Sequence, residues 1–482
     1  MRPLPIPKNH FGSVSREGSP IHLPRQFSRR GFMKLAAATA GGSAIVNMSP
    51  QIAAQSLTST ERSLLLHAID VAMDAGADYA DGRVIRTQFE AIGTREQTIT
   101  QVQSTDSFGI NVRALVGGSW GFSASQILSR DAIAEMAREA VRIAAANNAV
   151  APSTTTLAPV DIYPDADWVT PHSIDPFDVP LEDKAALLLR TNAEAMRVNN
   201  IRFASSSILS VREERLVATS EGSVIKQTFY RINPSVNITA ISADGSDFQT
   251  RSAVIEPAGR GYEYVMGLEL SGNASRWAEE AAMKLEATPV EPGKWDLVLH
   301  PSNLWLTIHE SIGHPTELDR ALGYEANYAG TSFATMDKLQ AHFQYGSDKV
   351  NIVADKVQPG SLGAVAYDDE GVKTKKWDLI RDGKLVGYQA IRDQAHIEGK
   401  SESDGCCYAD SWSNVQFQRM ANVSLEPGKA KMNVADMIAN VEDGVYIIGD
   451  GSFSIDQQRY NAQFGGQLFY EIKNGKITQQ IE

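Results

Sequence analysis

Residues 309–314 read His-Glu-Ser-Ile-Gly-His, which places two imidazoles and one carboxylate within six positions. Imidazole nitrogens are common zinc ligands, and a catalytic zinc site keeps one position open for water. A carboxylate beside that position can take a proton from the water and pass it to a leaving amine. The motif therefore predicts His309 and His314 as metal ligands and Glu310 as a general base that does not bind the metal. The alternative is two partly exposed histidines near a helix end, with a solvated Glu310.

The five-residue spacing of the two histidines limits how they can meet. The apolar segment 302–308 predicts a helix entered through a Ser/Asn cap, and Pro315 ends that helix after His314. On a regular α-helix, side chains five residues apart diverge by about 140°, so they could not bind one ion. Either a π-bulge absorbs the extra residue, or the helix unwinds at Gly313 and His314 turns back from its end.

The chain before the motif predicts an N-terminal α/β-mixed domain with an antiparallel sheet, residues 55–288. A capping box at 58–61, Thr-Ser-Thr-Glu, opens the first helix. Amphipathic periodicity and strand-like alternation predict the other elements. The predicted helices cover 131–146, 181–198 and 275–285, and the predicted strands lie within 81–102, 108–122 and 203–243.

The chain after Pro289 predicts a second domain, residues 289–482, so that the whole protein has an α+β fold. Residues 289–293, Pro-Val-Glu-Pro-Gly, mark the boundary between the two domains. Residues 295–300 predict a buried strand that leads into the motif helix. Strands and tight turns dominate the remainder, which predicts an antiparallel, barrel-like β domain that carries this helix.

The run 309–317, His-Glu-Ser-Ile-Gly-His-Pro-Thr-Glu, resembles the signature of the TldD/PmbA family of metallopeptidases, on its TldD side. Further segments resemble the family in collinear order, and the resemblance spans roughly residues 57 to 482. These segments are 109–113 and 117–122 near the N-terminus, then 328–333, 368–371, 419–422 and 427–428.

The resemblance implies a metal-dependent peptidase that cuts unstructured peptides or unfolded proteins inside a cavity enclosed by a dimer. The PmbA side lacks the His-Glu motif, so its presence here implies the catalytic type of subunit. The partner would be a second copy of this chain or a PmbA-like subunit. Zinc is the expected cofactor, although histidine with thiolate or carboxylate ligands also suits iron.

The resemblance also implies a third metal ligand, a cysteine carried beyond the strand that resembles 468–477. No histidine or cysteine follows position 407, so we expect a truncated C-terminal domain whose metal site is incomplete. Either Cys406 or Cys407 replaces that ligand, or the two are a small apolar pair in a loop. An incomplete site would leave the alternative function of a non-catalytic peptide-binding or partner subunit with the same fold.

The first 54 residues predict an export signal. Residues 28–34, Ser-Arg-Arg-Gly-Phe-Met-Lys, match the twin-arginine pattern, and a mildly apolar run over 35–48 leads to a small-residue exit near Ala54. The expected location is therefore periplasmic or otherwise exported; the alternative is a cytosolic protein with a basic tail. No other segment reaches about 18 unbroken apolar residues, so we expect no membrane span in the mature protein.

The charge balance argues against a nucleic-acid partner. The chain carries a formal charge of -13, and its first 54 residues hold seven Lys/Arg and one acid. The part after Ala54 is therefore more acidic still, at -19. Such a balance repels a phosphate backbone.

We predict that replacing both Arg29 and Arg30 with lysine leaves the protein in the cytoplasm. Twin-arginine export depends on recognition of the paired guanidinium groups, and lysine keeps their charge without their planar geometry. Fractionation of cells that express the double variant measures this. The double variant reaching the periplasm at the normal level would contradict the export prediction.

Overall fold

The computed structural model describes residues 57–482, so the predicted export signal and its cleavage site lie outside the described residues. Within this part of the chain, no helix is long and apolar enough to cross a bilayer. The α-helices are α1 (Ser59–Asp74), α2 (Arg130–Asn148), α3 (Leu181–Ala195), α4 (Glu263–Gly267), α5 (Leu270–Lys284), α6 (Pro301–Ile308), α7 (Leu318–Ala321), α8 (Met336–Gln340) and α9 (Val434–Ala439). Short 3-10 turns cover Pro176–Asp178, His314–Thr316 and Ala395–Glu398, and a π-helical turn covers His309–Gly313.

The first helix begins as its sequence predicts. The Thr58 side chain caps the N-terminus, and Glu61 reaches back to the Thr58 backbone N–H to complete the capping box. Its apolar face, with Leu65 and Ala68 fully buried, packs beside α2 on the large sheet. The other long N-terminal helices, α3 and α5, share a second apolar core with residues 201–208 and 232–240 of the large sheet.

The N-terminal part is built on a seven-stranded sheet in which the long strands are antiparallel, as the alternation predicts. The path runs β3-β2-β1-β5-β6-β4, with β7 beside β6, and only the short β4 runs parallel to its neighbour. The strands are β1 (Tyr79–Arg95), β2 (Thr98–Val116), β3 (Ser119–Ser125), β4 (Ala166–Val169), β5 (Ile201–Thr219), β6 (Val224–Ile241) and β7 (Phe248–Ser252).

The C-terminal part is not a barrel, so the barrel-like prediction is wrong. Among residues 57–482, its strands form separate sheets, ordered β11-β10-β9-β14, β12-β13 and β17-β16-β15-β8, and none closes on itself. The strands are β8 (Asp296–Leu299), β9 (Ile352–Asp355), β10 (Lys376–Arg381), β11 (Lys384–Leu385), β12 (Cys407–Tyr408), β13 (Phe417–Gln418), β14 (Asn422–Leu425), β15 (Asp443–Ile455), β16 (Ala462–Lys473) and β17 (Lys476–Ile481).

The physical reason lies in how the turns group the strands. A barrel requires its edge strands to pair with each other. Here the Asp382-Gly383 turn closes one hairpin and the Asn474-Gly475 turn closes another, and the two hairpins belong to different sheets. Strand β8 lies parallel to β15 at a sheet edge, where Leu297 is exposed and Val298 is buried. The buried strand expected before the motif helix is therefore an edge strand.

A buried ionic cluster joins the large sheet to residues 368–371 (Asp-Asp-Glu-Gly), which we call the acidic turn. Arg83 Nη1 lies 2.9 Å from Asp369 Oδ2, and Arg215 bonds the other oxygen of the same carboxylate. Arg113 bridges Asp81 at 2.6 Å and Glu370 at 3.0 Å. All these side chains are at most 3% exposed, so each charge depends on its partners for compensation.

We predict that Asp369→Asn lowers the free energy of unfolding by about 3–5 kcal/mol, because it leaves Arg83 and Arg215 buried without their shared anion. Urea unfolding of the full chain measures the change. The control is Glu135→Gln, which breaks ion pairs between side chains that are more than half exposed and should cost at most about 1 kcal/mol. Equal losses in the two variants would contradict a supporting role for the ionic cluster.

Candidate metal centre

Helix α6 carries the motif and is fixed at its start by side chains that the sequence prediction assigned otherwise. His300, not Ser302 or Asn303, is the cap, because its ring accepts a hydrogen bond from the Ser302 backbone N–H. Pro301 occupies the first helical position, where the missing N–H costs nothing. Ser302 Oγ accepts from the Gly449 N–H at 2.9 Å, and Asn303 Nδ2 donates to the Gly449 carbonyl at 3.0 Å. The supposed caps therefore attach the helix to β15.

The π-helical turn His309–Gly313 resolves the spacing of the histidines, as one of the two sequence alternatives predicts. The His314 backbone N–H donates to the His309 carbonyl, which is the i→i+5 bond of a π-helix. The two rings consequently meet with centroids 4.3 Å apart at an interplanar angle of 71°. One potential ligand atom from each of His309, Glu310 and His314 lies within 4.8 Å of the other two.

The exit from the π-turn is fixed from two sides. Gln389 Nε2 donates to the Gly313 carbonyl at 2.7 Å and to Thr316 Oγ1 at 3.0 Å. A Cβ atom on Gly313 would come within 2.7 Å of Met420 Sδ, so this close approach favours glycine. Pro315 lies in the 3-10 turn that follows, and the chain leaves helical geometry at Glu317. His314 is thereby held in a defined place at the end of the turn.

Glu317 orients His314. Its carboxylate is fully buried, and Oε2 lies 2.5 Å from His314 Nδ1 and 2.8 Å from Arg320 Nε. Burial alone would raise the pKa of Glu317, but the His314 hydrogen bond and the Arg320 charge outweigh burial and lower it. An anionic Glu317 accepts a hydrogen bond from His314 Nδ1–H. The lone pair of the ring is then on Nε2, as in carboxylate–histidine–zinc triads.

His309 is the more exposed histidine, with 36% of its side chain accessible. The Trp305 ring lies 6.0 Å from it, one helical turn earlier. Burial, followed by the neighbouring His314, lowers the pKa of His309 to about 4. A neutral imidazole is the form that binds a metal ion, so His309 is ready to act as a ligand at neutral pH.

Glu310 lies between His309 and a residue that sequence reasoning missed, Arg459. Its Oε1 is 3.6 Å from His309 Nε2, and its Oε2 is 3.6 Å from Arg459 Nε. Arg459 belongs to the loop between β15 and β16 and has a left-handed backbone, φ 61°. Asp456 accepts backbone N–H bonds from Tyr460 and Asn461 and holds this loop. Nothing local in the sequence linked Arg459 to a motif 149 positions earlier.

The thiols of Cys406 and Cys407 do not join this group, so the proposal that one of them replaces a ligand is wrong. The His309–Glu310–His314 group is the only set of three potential ligands this close together among residues 57–482. Both cysteines are buried with Ala354, Leu379 and Ile391 in a small apolar core. Burial raises the pKa of both thiols and keeps them protonated. The alternative of a small apolar pair agrees with this burial, although Cys407 lies in strand β12 and not in a loop.

Two imidazoles and an adjacent carboxylate match the chemistry of a zinc site. Imidazole ligands also suit iron(II). Glu317 supplies the outer carboxylate that such ligands normally need. The residues present therefore fit a divalent transition-metal ion.

Comparison with known proteins places most of the described chain in the domains of one family. Three models of the PmbA/TldA metallopeptidases match in order: domain 1 over residues 80–144, the central domain over 174–288 and the C-terminal domain over 292–482. A metalloprotease of Methanocaldococcus jannaschii is 27% identical over 425 residues, which cover 87% of this chain and 88% of the relative. A zinc metalloprotease TldD homolog of Saccharolobus solfataricus is 22% identical over 423 residues, 86% of each chain.

Among solved structures, TldE from Thermococcus kodakarensis superposes with a TM-score of 0.67 at 17% identity, and the match covers 87% of this chain and 90% of that one. This likeness shows a shared fold. The three domain models together span most of the chain, in the order the family has them. The chain belongs to the PmbA/TldD family of metallopeptidases.

Proposed function

We propose that this protein is a metal-dependent peptidase in which His309 and His314 bind the ion and Glu310 is the general base. The observation that carries the proposal is the π-turn, which brings the two imidazoles and the carboxylate together despite their five-residue spacing. A structural role for these histidines would not require the wide turn, the neutral His309 and the buried Glu317 together.

Each residue of the centre has a defined task. The metal ion, when bound, supplies Lewis-acid activation of the attacking water and of the peptide carbonyl. Glu310 takes the proton of the water at one carboxylate oxygen and delivers it to the leaving amine. Glu317 fixes the ring of His314 by accepting a hydrogen bond from Nδ1–H. Arg459 Nε lies 3.6 Å from the other oxygen of Glu310 and holds that carboxylate in position beside the ligands.

Zinc is the proposed ion. The ligand chemistry permits it, and the Saccharolobus solfataricus relative is named a zinc metalloprotease. Iron(II) is the second candidate, because imidazole ligands also suit it. Zinc and iron contents of the protein purified from its own cells distinguish the two.

The surface near the centre suits an extended, unstructured peptide. Trp305 beside His309 is 43% exposed, and Tyr460 next to Arg459 is 66% exposed. Tyr328, in the segment whose Gly330 packs against Arg459, is 78% exposed. Aromatic side chains of this kind can cover apolar side chains of a substrate. We further propose that the enzyme works after export, in a dimer with a second copy or with a PmbA-like subunit.

Glu317→Gln should weaken zinc binding by about 10- to 100-fold, because a neutral amide no longer orients His314 or raises its basicity as a metal ligand. His314→Ala should abolish binding. Competition with a chromogenic chelator measures both affinities in the full chain. Glu402→Gln is the control, because Glu402 is largely exposed and pairs with Lys375 at the protein surface. Unchanged zinc affinity in His314→Ala would show that the histidine is structural.

Glu310→Gln should lower kcat for an unfolded protein such as reduced, denatured casein by about 10²- to 10⁴-fold while zinc content stays near that of the wild type. The amide keeps the size of the side chain and cannot accept the proton. Activity and metal content are measured on the same preparation, with Lys384→Gln as a surface control. Full activity in Glu310→Gln would refute the assignment of the general base.

Two further outcomes separate the proposed enzyme from a non-catalytic subunit of the same fold. Arg459→Gln should reduce kcat and leave zinc content intact, because Arg459 acts on Glu310 and not on the ligands. A wild-type chain that binds peptides but holds much less than one metal ion per chain would instead favour the peptide-binding or partner function.

A further inference from the structure

A cavity of about 250 Å³ lies away from the metal-binding residues. One wall comes from β4 and the residues after it, and the other from the segment 356–374 of the C-terminal part. None of His309, Glu310 and His314 lines it. It is smaller than the pockets of about 300–1,000 Å³ that hold drug-sized ligands, so it suits a small molecule or one terminal residue.

The charges that line this cavity are all positive. Lys356 and Lys373 are among its lining residues, and no aspartate or glutamate is. Lys356 is only 5% exposed, and within residues 57–482 its ammonium group makes no hydrogen bond or ion pair. Lysine side chains this deeply buried are usually paired with a carboxylate, and this acidic chain has many available. The cavity therefore lacks a counter-ion.

Asp368 lies near enough to Lys356 for their charges to interact, but its carboxylate oxygens already accept hydrogen bonds. Asp368 Oδ1 accepts hydrogen bonds from the backbone N–H groups of Glu370 and Val372, both at 2.9 Å. Its Oδ2 accepts from the Cys407 N–H at 3.1 Å. Burial raises the pKa of Asp368 to about 6, and the charge of Lys356 opposes this rise without a hydrogen bond between the two side chains. Asp368 thus serves the acidic turn and leaves Lys356 free to bind another anion.

Most of the remaining lining is aromatic or aliphatic, with hydroxyl groups from Thr170, Ser361 and Thr374, and it is held in place by its neighbours. Trp168 packs on Phe229 with ring centroids 5.7 Å apart, and Tyr367 meets Tyr163 at 4.8 Å. Val365 is buried, and its carbonyl accepts a hydrogen bond from the Thr374 hydroxyl. A preformed apolar wall opposite an ammonium group recognises an anion that has an apolar body.

We propose that this cavity binds a small organic carboxylate with an aromatic or branched apolar body, its carboxylate on Lys356 and Lys373 and its body against Trp168 and Tyr367. Two ammonium groups amid carbon walls suit a monoanionic carboxylate better than a phosphate, which proteins surround with backbone N–H groups and guanidinium forks. The carboxylate belongs to a free acid or to the C-terminal residue of a peptide. The proposal does not depend on the metal centre.

Isothermal titration of the full chain with 3-phenylpropionate, and with its neutral isostere 3-phenylpropanamide, tests the site. The acid should bind at least about 10-fold more tightly than the amide, because a hydrogen bond to a charged group contributes about 1.5–3 kcal/mol, or about 10- to 100-fold in affinity. Lys356→Met, which keeps the apolar stem of the side chain, should remove that preference. The exposed Lys384→Gln should leave it intact.

A second pair of probes distinguishes the two sources of the carboxylate. If the peptide Ala-Ala-Phe binds as tightly as the free acid and Ala-Ala-Phe-amide does not, the site takes peptide C-termini. If only the free acid binds, it takes small acids. Both results support the proposal. In either case, ligand binding should quench the tryptophan fluorescence of the Trp168→Phe variant less than that of the wild type.

Three outcomes would overturn it. These are equal affinities of the acid and the amide for the wild type, no binding of the acid at millimolar concentration, and inorganic phosphate binding as tightly as the acid. The comparison of acid with amide needs only the wild type, so a poorly folding Lys356→Met does not prevent a decision. Loss of peptidase activity in Glu310→Gln has no bearing on this result, so the two proposals fail separately.

Discussion

The carboxylates of the acidic turn are surrounded by guanidinium groups from three strands of the large sheet. Arg83 on β1, Arg113 on β2 and Arg215 on β5 all reach it, and all are buried. The cross-strand register brings Asp81 opposite Arg113, so one face of the sheet presents a charged surface in place of an apolar one. Burial of these charges is tolerable only if both parts of the chain are in position, because each part supplies the other's counter-ions.

The acidic turn is also linked to the candidate metal centre, through hydrogen bonds made by the segment that contains Gln389 and Arg392. Glu370 accepts a hydrogen bond from the Arg392 N–H at 2.9 Å, and Gln389 lies three residues before Arg392. Gln389 uses its amide to hold the Gly313 carbonyl and the Ala421 N–H. An irregular π-turn is thereby fixed by side-chain bonds from outside the helix, which replaces the support that a regular helix would give itself. The geometry of the histidines thus depends on the packing of the large sheet against the C-terminal part.

Much of the site was predictable from the sequence because its chemistry is local. The His309–His314 spacing required an irregular turn, and the capping box fixed the start of α1. The missed features depend on distant contacts. His300 caps α6 because Ser302 is engaged by Gly449, and Arg459 reaches Glu310 through a loop far along the chain. The closing of strands into separate sheets, and the burial of Cys406 and Cys407, likewise follow from packing that alternation does not encode.

The two histidines of the candidate metal centre differ in their exposure and in what holds them. His314 is 11% exposed and is held from the protein side by Glu317 and Arg320, whereas His309 is 36% exposed and lies beside Trp305. His314 is therefore fixed by a chain of charged hydrogen bonds, whereas His309 is held by ring packing and the nearby Glu310. In the proposed peptidase, His309 is thus the ligand nearer to solvent. For the proposed peptidase, this difference in exposure favours an approach of the peptide over Trp305 and His309 and not over the buried Glu317 side.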